Sequence, residues 1–181
     1  MTLTADALSA YRTAARLLAT LTNVRIDLLS EALDETAPGT GVEITGYHDL
    51  GERFAVCVPQ GARAQVRSLR PQQAAVALDS DFPDWLSLEG WLPTGSTADR
   101  CVIEAEMLAE RAIAAEVFVR IIEADGTGLD QPPQSWRLDG RGISVAEVPL
   151  DPDDSRPRKI VVLLRRPPAE ITLRQLALVP V

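Results

Sequence analysis

Four residues in the segment QPPQSWRLDG carry side chains of the kind that bind sugars. Trp136 offers a flat ring that can stack on the apolar face of a sugar ring. Gln134, Arg137 and Asp139 supply hydrogen-bond donors and acceptors beside it. The alternative for Trp136 is a buried ring that fills a core, as single tryptophans commonly do. We predict a ligand-binding site at Trp136, Arg137, Gln134 and Asp139, in which the Trp136 ring is exposed.

The segment FPDWLSLEGWLP holds two further tryptophans, Trp85 and Trp91, six residues apart. On a regular strand an even spacing places both rings on the same side, about 20 Å apart. They can form separate ligand contacts or one wall of a core. Leu86, Leu88 and Leu92 occupy the opposite phase, so both sides of the strand are apolar. This pattern favours a strand buried on both faces, with the tryptophan pair at the seam between the two halves of the chain.

Catalytic residues are not predicted. His48, the one histidine, stands beside Asp49 in a predicted loop, and a histidine oriented by a carboxylate can act as a general base. A hydrolase also needs a positioned nucleophile, and the sequence has no G-x-S-x-G elbow. Glu104 and Glu106 share one side of a strand, but simple alternation explains them as its exposed face. We expect no enzyme activity, with a hydrolase as the alternative.

No metal site or cofactor is predicted. Cys57 and Cys101 lie far apart in the sequence, without a C-x-x-C pair or a nearby histidine, so zinc binding is not expected. A disulfide between them is left open. The loops DPDDSRPRK and EADGTGLDQ are rich in carboxylates, which calcium favours. Turn formation explains the same residues, and calcium stays the alternative to an absent cofactor.

The charge of the chain limits its partners. The 181 residues hold 18 basic and 26 acidic side chains, a net charge of −8, so nucleic-acid binding is not expected. No apolar run reaches 18 residues, so no membrane span is predicted. The first residues lack the apolar core of a signal peptide. We therefore expect a cytoplasmic location by default, or a place in an assembled particle.

A set of basic residues surrounds the apolar strand IVVLL near the end of the chain. Charged side chains at strand ends protect sheet edges, and they can also form a patch for anionic sugars or an acidic partner. Both alternatives remain for this set, which comprises Arg156, Arg158, Lys159, Arg165, Arg166 and Arg174.

Residues 4–34 have the pattern of one long amphipathic helix, because polar side chains recur every three or four positions along them. Such a helix is about 45 Å long. It can lie across the chain's own sheet, or contact another chain. In the second case we predict a partner-binding face of Leu17, Leu21, Val24 and Leu28, in a homo-oligomer or a larger assembly.

The remainder of the chain is predicted as short strands separated by turn residues. About eight alternating segments without helical periodicity indicate an antiparallel β-sandwich of the jelly-roll type. The apolar phase changes between Leu173 and Leu176, which predicts a bulge near Arg174 and Gln175. We predict three parts: a helix over 1–38, accessory strands over 39–81 and the sandwich over 82–181.

The second half resembles carbohydrate-binding, galactose-binding-like jelly-roll modules. The resemblance rests on the order of WLSLEGW, AAEVFVRIIEADG, SWRLDG and ITLRQLALVPV. It implies a non-catalytic sandwich that binds glycans through loops at one end or on a concave sheet.

Two functions are therefore expected. The first is a binding or adhesion module for a glycan or a cell-surface polymer. The alternative is a structural subunit of a virion- or tail-like particle or a multiprotein complex, docked through the N-terminal helix. The partner is accordingly a glycan or a protein.

Overall fold

The computed structural model describes residues 11, 14, 24–36, 40–70 and 74–181. These residues are mainly β-strands in two antiparallel sheets that pack face to face, with a short helix over Leu28–Glu35. Tyr11, Ala14 and Val24 are helical as well. The predicted mainly-β sandwich is confirmed. Within the described part of the chain, no helix is long and apolar enough to cross a membrane.

The described elements follow one another along the chain with short connections. In order they are β1 (Ile26–Asp27), α1 (Leu28–Glu35), β2 (Gly41–Ile44), β3 (Tyr47–Asp49), β4 (Phe54–Cys57), β5 (Ala64–Ser68), β6 (Val76–Ser80), β7 (Trp85–Trp91), β8 (Arg100–Ala109), β9 (Ile113–Ile122), β10 (Gly128–Asp130), β11 (Gln134–Leu138), β12 (Arg141–Pro149), β13 (Arg158–Arg165) and β14 (Glu170–Pro180).

The strands divide into two sheets of seven. Sheet 1 has the order β12-β8-β14-β6-β5-β2, and β1 also pairs with β14. Sheet 2 has the order β10-β9-β13-β7-β4-β3, and β11 also pairs with β9. The strands of residues 39–81, predicted as accessory, are hydrogen-bonded into both sheets: β2, β5 and β6 into sheet 1, and β3 and β4 into sheet 2.

The core lies between the sheets and is built by simple alternation. Along β8 the residues Cys101, Ile103, Ala105 and Met107 are buried, while those between them are partly exposed. Because successive strand residues point to opposite faces, every second side chain enters the core. Each fully buried aliphatic side chain contributes about 1.5–3 kcal/mol through removal from water.

Strand β14 contains the predicted bulge. Its pairing with β8 shifts between Leu173 and Gln175. Both Leu173 and Leu176 are buried, although an odd spacing would place them on opposite faces of a regular strand. The extra residue therefore keeps the apolar side chains of both halves of β14 in the core.

The prediction of one continuous helix over residues 4–34 is wrong. Ile26 and Asp27 are extended and pair with Leu178 and Ala177 of β14. The Asp27 carboxylate then accepts a hydrogen bond from the Leu29 N–H at 3.1 Å and starts a new helix. Residues 1–10, 12–13 and 15–23, which include most of the predicted helix, lie outside the described residues.

Helix α1 is part of the core. Its buried residues are Leu28, Leu29, Ala32 and Leu33, and it contacts β4 of sheet 2 as well as β6 and β14 of sheet 1. The helix ends at Thr36, whose N–H and hydroxyl both donate to the Ala32 carbonyl. This short helix therefore joins the two sheets.

Candidate functional site

The side of sheet 2 that faces away from the core carries an unusual set of side chains. On β7 the leucines Leu86 and Leu88 enter the core, while the alternate residues point outward. Carrying this alternation across the paired strands defines the outer face of sheet 2. Its members are Tyr47, Asp49, Ala55, Cys57, Trp85, Ser87, Glu89, Trp91, Ala114, Glu116, Phe118, Arg120, Ile122, Gly128, Asp130, Ser135, Arg137, Lys159, Val161, Leu163 and Arg165.

Trp85 and Trp91 therefore share one face, as their spacing predicts. Both rings are partly exposed, and neither belongs to the hydrophobic core cluster. The five residues between the rings are buried, so the prediction of a strand buried on both faces holds for them. The rings themselves are partly exposed on the outer face, which corrects the interpretation of the pair as a buried seam. The rings stand at the two ends of β7, about 20 Å apart.

A buried carboxylate lies between the two rings. Glu89 is 3% exposed, and three side chains donate to it. The Ser87 hydroxyl donates at 3.1 Å, the Arg120 guanidinium at 3.4 Å and the Lys159 ammonium at 3.4 Å. Since a buried charge requires paired and hydrogen-bonded partners, this set fixes all four side chains in one arrangement.

Lys159 is the one lysine in a chain with 17 arginines, and it is 6% exposed. Its Nζ lies 4.3 Å from the centroids of both the Tyr47 and the Trp91 rings. An ammonium held against aromatic ring faces is stabilised by the electrostatic attraction of the rings. Lys159 therefore holds the Tyr47 ring on one side and the Trp91 ring on the other.

The network continues to both edges of the sheet. Arg120 donates two hydrogen bonds to the Asp130 carboxylate, at 2.6 Å and 2.9 Å. At the other edge, Lys159 donates to the Tyr47 hydroxyl at 2.6 Å, and that hydroxyl donates to Asp49 at 2.7 Å. Burial, with the Asp49 hydrogen bond next, raises the pKa of the Tyr47 hydroxyl well above its usual range. Tyr47 is therefore a fixed neutral donor.

Three depressions with shared lining residues lie along the outer face of sheet 2, and together they are called the groove. The first, about 310 Å³, is lined by residues that include Tyr47 and Lys159. It shares Glu89 and Arg120 with the second, about 220 Å³. The second shares Arg165 with the third, about 420 Å³. The groove follows β13 from Lys159 to Arg165, a length of about 20 Å.

The sequence-predicted site residues do not converge. Trp136 lies on the core side of β11, is 9% exposed and belongs to the core cluster, so the expectation of an exposed ring is wrong. Arg137 points to the outer face of sheet 2, opposite to Gln134 on the same strand. Asp139 lies in the next turn and accepts from the Arg141 N–H at 3.1 Å.

The predicted partner-binding face is also divided. Leu17 and Leu21 lie outside the described residues. Val24 is 36% exposed, whereas Leu28 is 2% exposed and packs in the core. Leu28 is therefore not available to a partner.

The carboxylates of the two acidic loops accept hydrogen bonds from residues of the same loops. Asp125 accepts from the Thr127 N–H and hydroxyl, at 2.9 Å and 2.6 Å. The Arg156 hydrogen bonds lower the pKa of Asp154 to about 2. Among the described residues, no three His, Cys, Asp or Glu side chains cluster as a metal site would require.

Both cysteines are free thiols. Cys101 is in the core, and burial raises its pKa to about 12. Cys57 lies on the outer face of sheet 2, where burial also raises its pKa. A buried neutral thiol is a poor nucleophile.

Sequence reasoning missed Glu89, Arg120 and Tyr47, and it named Lys159 only within the basic set near the end of the chain. One signal was present: the alternation of WLSLEGW puts leucines on one side and tryptophan, serine and glutamate on the other. A polar pair between two rings on one side of a strand indicates a functional face more than a core wall. The partners of that pair come from strands far apart in the sequence.

No protein-family model matches the sequence, and no curated protein matches it. Similar solved structures include a family 11 carbohydrate-binding module from Clostridium thermocellum, bound to a β-1,3-1,4-mixed-linked tetrasaccharide. It is 12% identical with a TM-score of 0.49, over 80% of this chain and 97% of that chain. A family 4 carbohydrate-binding module is also 12% identical with a TM-score of 0.49, over 77% of this chain and 95% of that chain. The enzymatically active domain of tailspike protein 4 from bacteriophage CBA120 is 5% identical with a TM-score of 0.47, over 86% of this chain and 20% of that chain. The similar structures thus include carbohydrate-binding modules, the class that the pattern of the second half resembles.

Proposed function

We propose that the protein is a non-catalytic glycan-binding module whose ligand lies along the outer face of sheet 2. The observation that carries the proposal is the position of Trp85. Its partly exposed ring lines a groove whose polar side chains are already fixed by one another. An aromatic ring beside oriented polar groups fits a ligand that is apolar on its ring faces and polar at its edges.

The rim of the groove supplies hydrogen bonds for such a ligand. Arg120 and Asp130 form one pair with side chains 31% and 45% exposed. Arg165 and Glu116 form another, with side chains 48% and 32% exposed. Because the ion pair already fixes both side chains in each case, little side-chain entropy is lost when a ligand binds. The paired planar groups present donors and acceptors side by side, as neighbouring sugar hydroxyls require.

The same groups do not fit catalysis. Glu89 is buried and accepts from three donors, so it is not placed to exchange protons with a ligand. Cys57, the thiol on this face, has its pKa raised by burial and is not activated as a nucleophile. Binding without chemistry is therefore the function that the groove supports.

Calorimetric titration with a panel of soluble oligosaccharides tests the proposal. We expect at least one glycan class to bind, and Trp85→Ala to weaken that binding at least tenfold through loss of ring stacking. Trp136→Phe is the matched control, because that ring lies in the core and the conservative change keeps most of its volume. Absence of binding across neutral and acidic glycans, or equal binding by Trp85→Ala, would contradict the proposal.

A further inference from the structure

One end of the groove is lined by arginines. The third depression is about 420 Å³ and is lined by Arg111, Arg137 and Arg165, together with Ser135 and small residues of the β8–β9 turn. The chain as a whole carries a net charge of −8. A local concentration of guanidinium groups in an acidic protein points to a negatively charged ligand group.

The pairing registers place these residues in a row. Arg137 of β11 and Arg165 of β13 both lie directly opposite Ala114 of β9, one on each side. Arg165 in turn lies opposite Trp85 of β7. Neighbouring strands are about 4.8 Å apart, so Ala114 leaves a notch between two arginines whose backbones are about 10 Å apart. The ring of Trp85 stands next to that notch.

The arginines are not fully neutralised by their surroundings. Arg165 donates to Glu116 at 2.7 Å, and Arg111 lies 3.8 Å from Glu110. The described residues provide no ion-pair or hydrogen-bond partner for the Arg137 guanidinium. Three positive groups therefore meet two carboxylates. Distant acidic residues contribute little here, because the Debye length is about 8 Å at physiological ionic strength.

The opposite end of the groove differs in charge. Arg120 and Lys159 lie there with the carboxylates of Glu89, Asp130 and Asp49, all within the one network. Within this network two positive groups meet three carboxylates. An anionic ligand group is therefore favoured between the arginines at the Trp85 end over the Glu89 network.

We propose that the outer face of sheet 2 takes an acidic polysaccharide. A carboxylate or sulfate of the ligand lies over Ala114 between Arg137 and Arg165, and the sugar ring that carries it stacks on Trp85. Guanidinium groups bind both anions through paired hydrogen bonds. This inference rests on the proposed function and names the class of its ligand.

Titration with matched ligands tests it. The probes are an oligouronate, the same oligomer after reduction of its carboxyl groups to alcohols, and a sulfated oligosaccharide. We expect one of the anionic probes to bind about tenfold more tightly than the reduced oligomer, as a charge-assisted contact provides. Raising the NaCl concentration should reduce the difference in affinity between the anionic probe and the reduced oligomer. Tighter binding of the oligouronate or of the sulfated probe identifies which anion is recognised.

Variants then locate the anion. Arg137→Gln should remove most of the tenfold difference in affinity between the anionic probe and the reduced oligomer. Arg63→Gln, at an exposed arginine that directly precedes β5 and forms a single ion pair, is the control and should keep the difference in affinity. Ala114→Asp should also remove the difference in affinity, because its carboxylate occupies the notch.

Two results would overturn the inference, and they are distinguishable. Equal affinity for the charged and reduced oligomers, with Trp85→Ala still weakening both, rejects the acidic ligand and leaves glycan binding intact. Absence of binding to every probe rejects the acidic ligand, and absence of binding across the neutral oligosaccharide panel as well rejects the glycan-binding function. Anion binding that Trp85→Ala and Arg137→Gln leave unchanged also rejects the inference, because the anion then lies elsewhere.

Discussion

Glu89 and Lys159 form the centre of the polar network at the scale of single residues. Both are almost fully buried, on a sheet face that a ligand is proposed to cover. Taking two charges out of water is costly, and the attraction between them offsets that cost only with additional hydrogen bonds. Here the additional bonds come from Ser87, Arg120 and Tyr47. The pair therefore serves to hold the groove in shape more than to stabilise the fold.

Neutralising Glu89 should destabilise the protein strongly. Glu89→Gln leaves the buried Lys159 ammonium without its carboxylate, at a cost of about 3 kcal/mol in the free energy of unfolding. Urea denaturation measures the loss. Glu116→Gln is the matched control, since its pair with Arg165 is partly exposed and contributes less than about 1 kcal/mol.

The double variant Glu89→Leu with Lys159→Met separates pairing from packing. It removes both charges, so we expect most of the stability lost in Glu89→Gln to return. The same double variant should bind glycans more weakly, because Tyr47 and Trp91 lose the ammonium between them. Equal stability of Glu89→Gln and Glu116→Gln would contradict this account of the network.

The residue types of the site were visible in the sequence, but their grouping was not. The even spacing of Trp85 and Trp91 correctly predicts one shared face. Whether that face points into the core or outward depends on which side of β7 meets sheet 1. The sequence does not distinguish the two sides, because leucines and tryptophans are both apolar. The prediction for Trp136 failed for the same reason, because its polar neighbours Ser135 and Arg137 point to the opposite face of β11.

Strand β7 and helix α1 depend on one close contact at the scale of elements. Gly90 lies on the core side of β7, where Leu28 of α1 and Leu178 of β14 cover it. A Cβ at Gly90 would lie 2.6 Å from the Leu28 Cδ1 and 2.8 Å from the Leu178 Cδ1. Both distances are shorter than real carbon contacts. Gly90 therefore makes room for the helix and does not bend the strand, which pairs regularly on both sides.

Gly90→Ala should destabilise the protein by about 1–3 kcal/mol through overpacking. Gly142→Ala on β12 is the control, because its Cβ would have no neighbour closer than 3.4 Å. Thermal or urea denaturation of both variants measures the difference. If the two substitutions had equal effects, the close packing of Leu28 on Gly90 would be refuted.

Elements governed by local pattern were predicted well, and those governed by distant pairing were not. The alternating strands and the bulge between Leu173 and Gln175 follow from the apolar phase alone. The break at Ile26 and Asp27 does not, because Asn23, Asp27, Ser30 and Asp34 keep helical spacing across it. The extended conformation there depends on β14, more than 140 residues later in the chain.

Three weakly acidic side chains with raised pKa values make the whole molecule sensitive to alkaline pH. Burial raises the pKa of Cys101 to about 12, and it raises the pKa values of Cys57 and Tyr47 as well. In the unfolded chain cysteine ionises near pH 8.5 and tyrosine near pH 10. The native state therefore binds more protons than the unfolded state above pH ~9, and its stability falls as pH rises.

We expect the melting temperature to fall steadily between pH 8.5 and pH 10.5, as differential scanning calorimetry at several pH values would show. Cys101→Ala should make that fall less steep. The comparison uses the slope of melting temperature against pH and not the absolute stability of the variant, since removal of the thiol also leaves a small cavity. A melting temperature that stays constant over this range would contradict the assigned pKa directions.

The whole molecule is a sandwich with two dissimilar faces on sheet 2: an apolar inner face and an outer face that carries a fixed polar network between two rings. We propose that a glycan binds along this outer face. The three tryptophans allow a direct test, because each gives one indole N–H signal in a ¹H–¹⁵N spectrum, assignable by Trp→Phe substitution. Titration with the tightest-binding oligosaccharide should shift the signals of Trp85 and Trp91 and leave that of Trp136 in place. A shift of the Trp136 signal, with those of Trp85 and Trp91 unchanged, would contradict the claim.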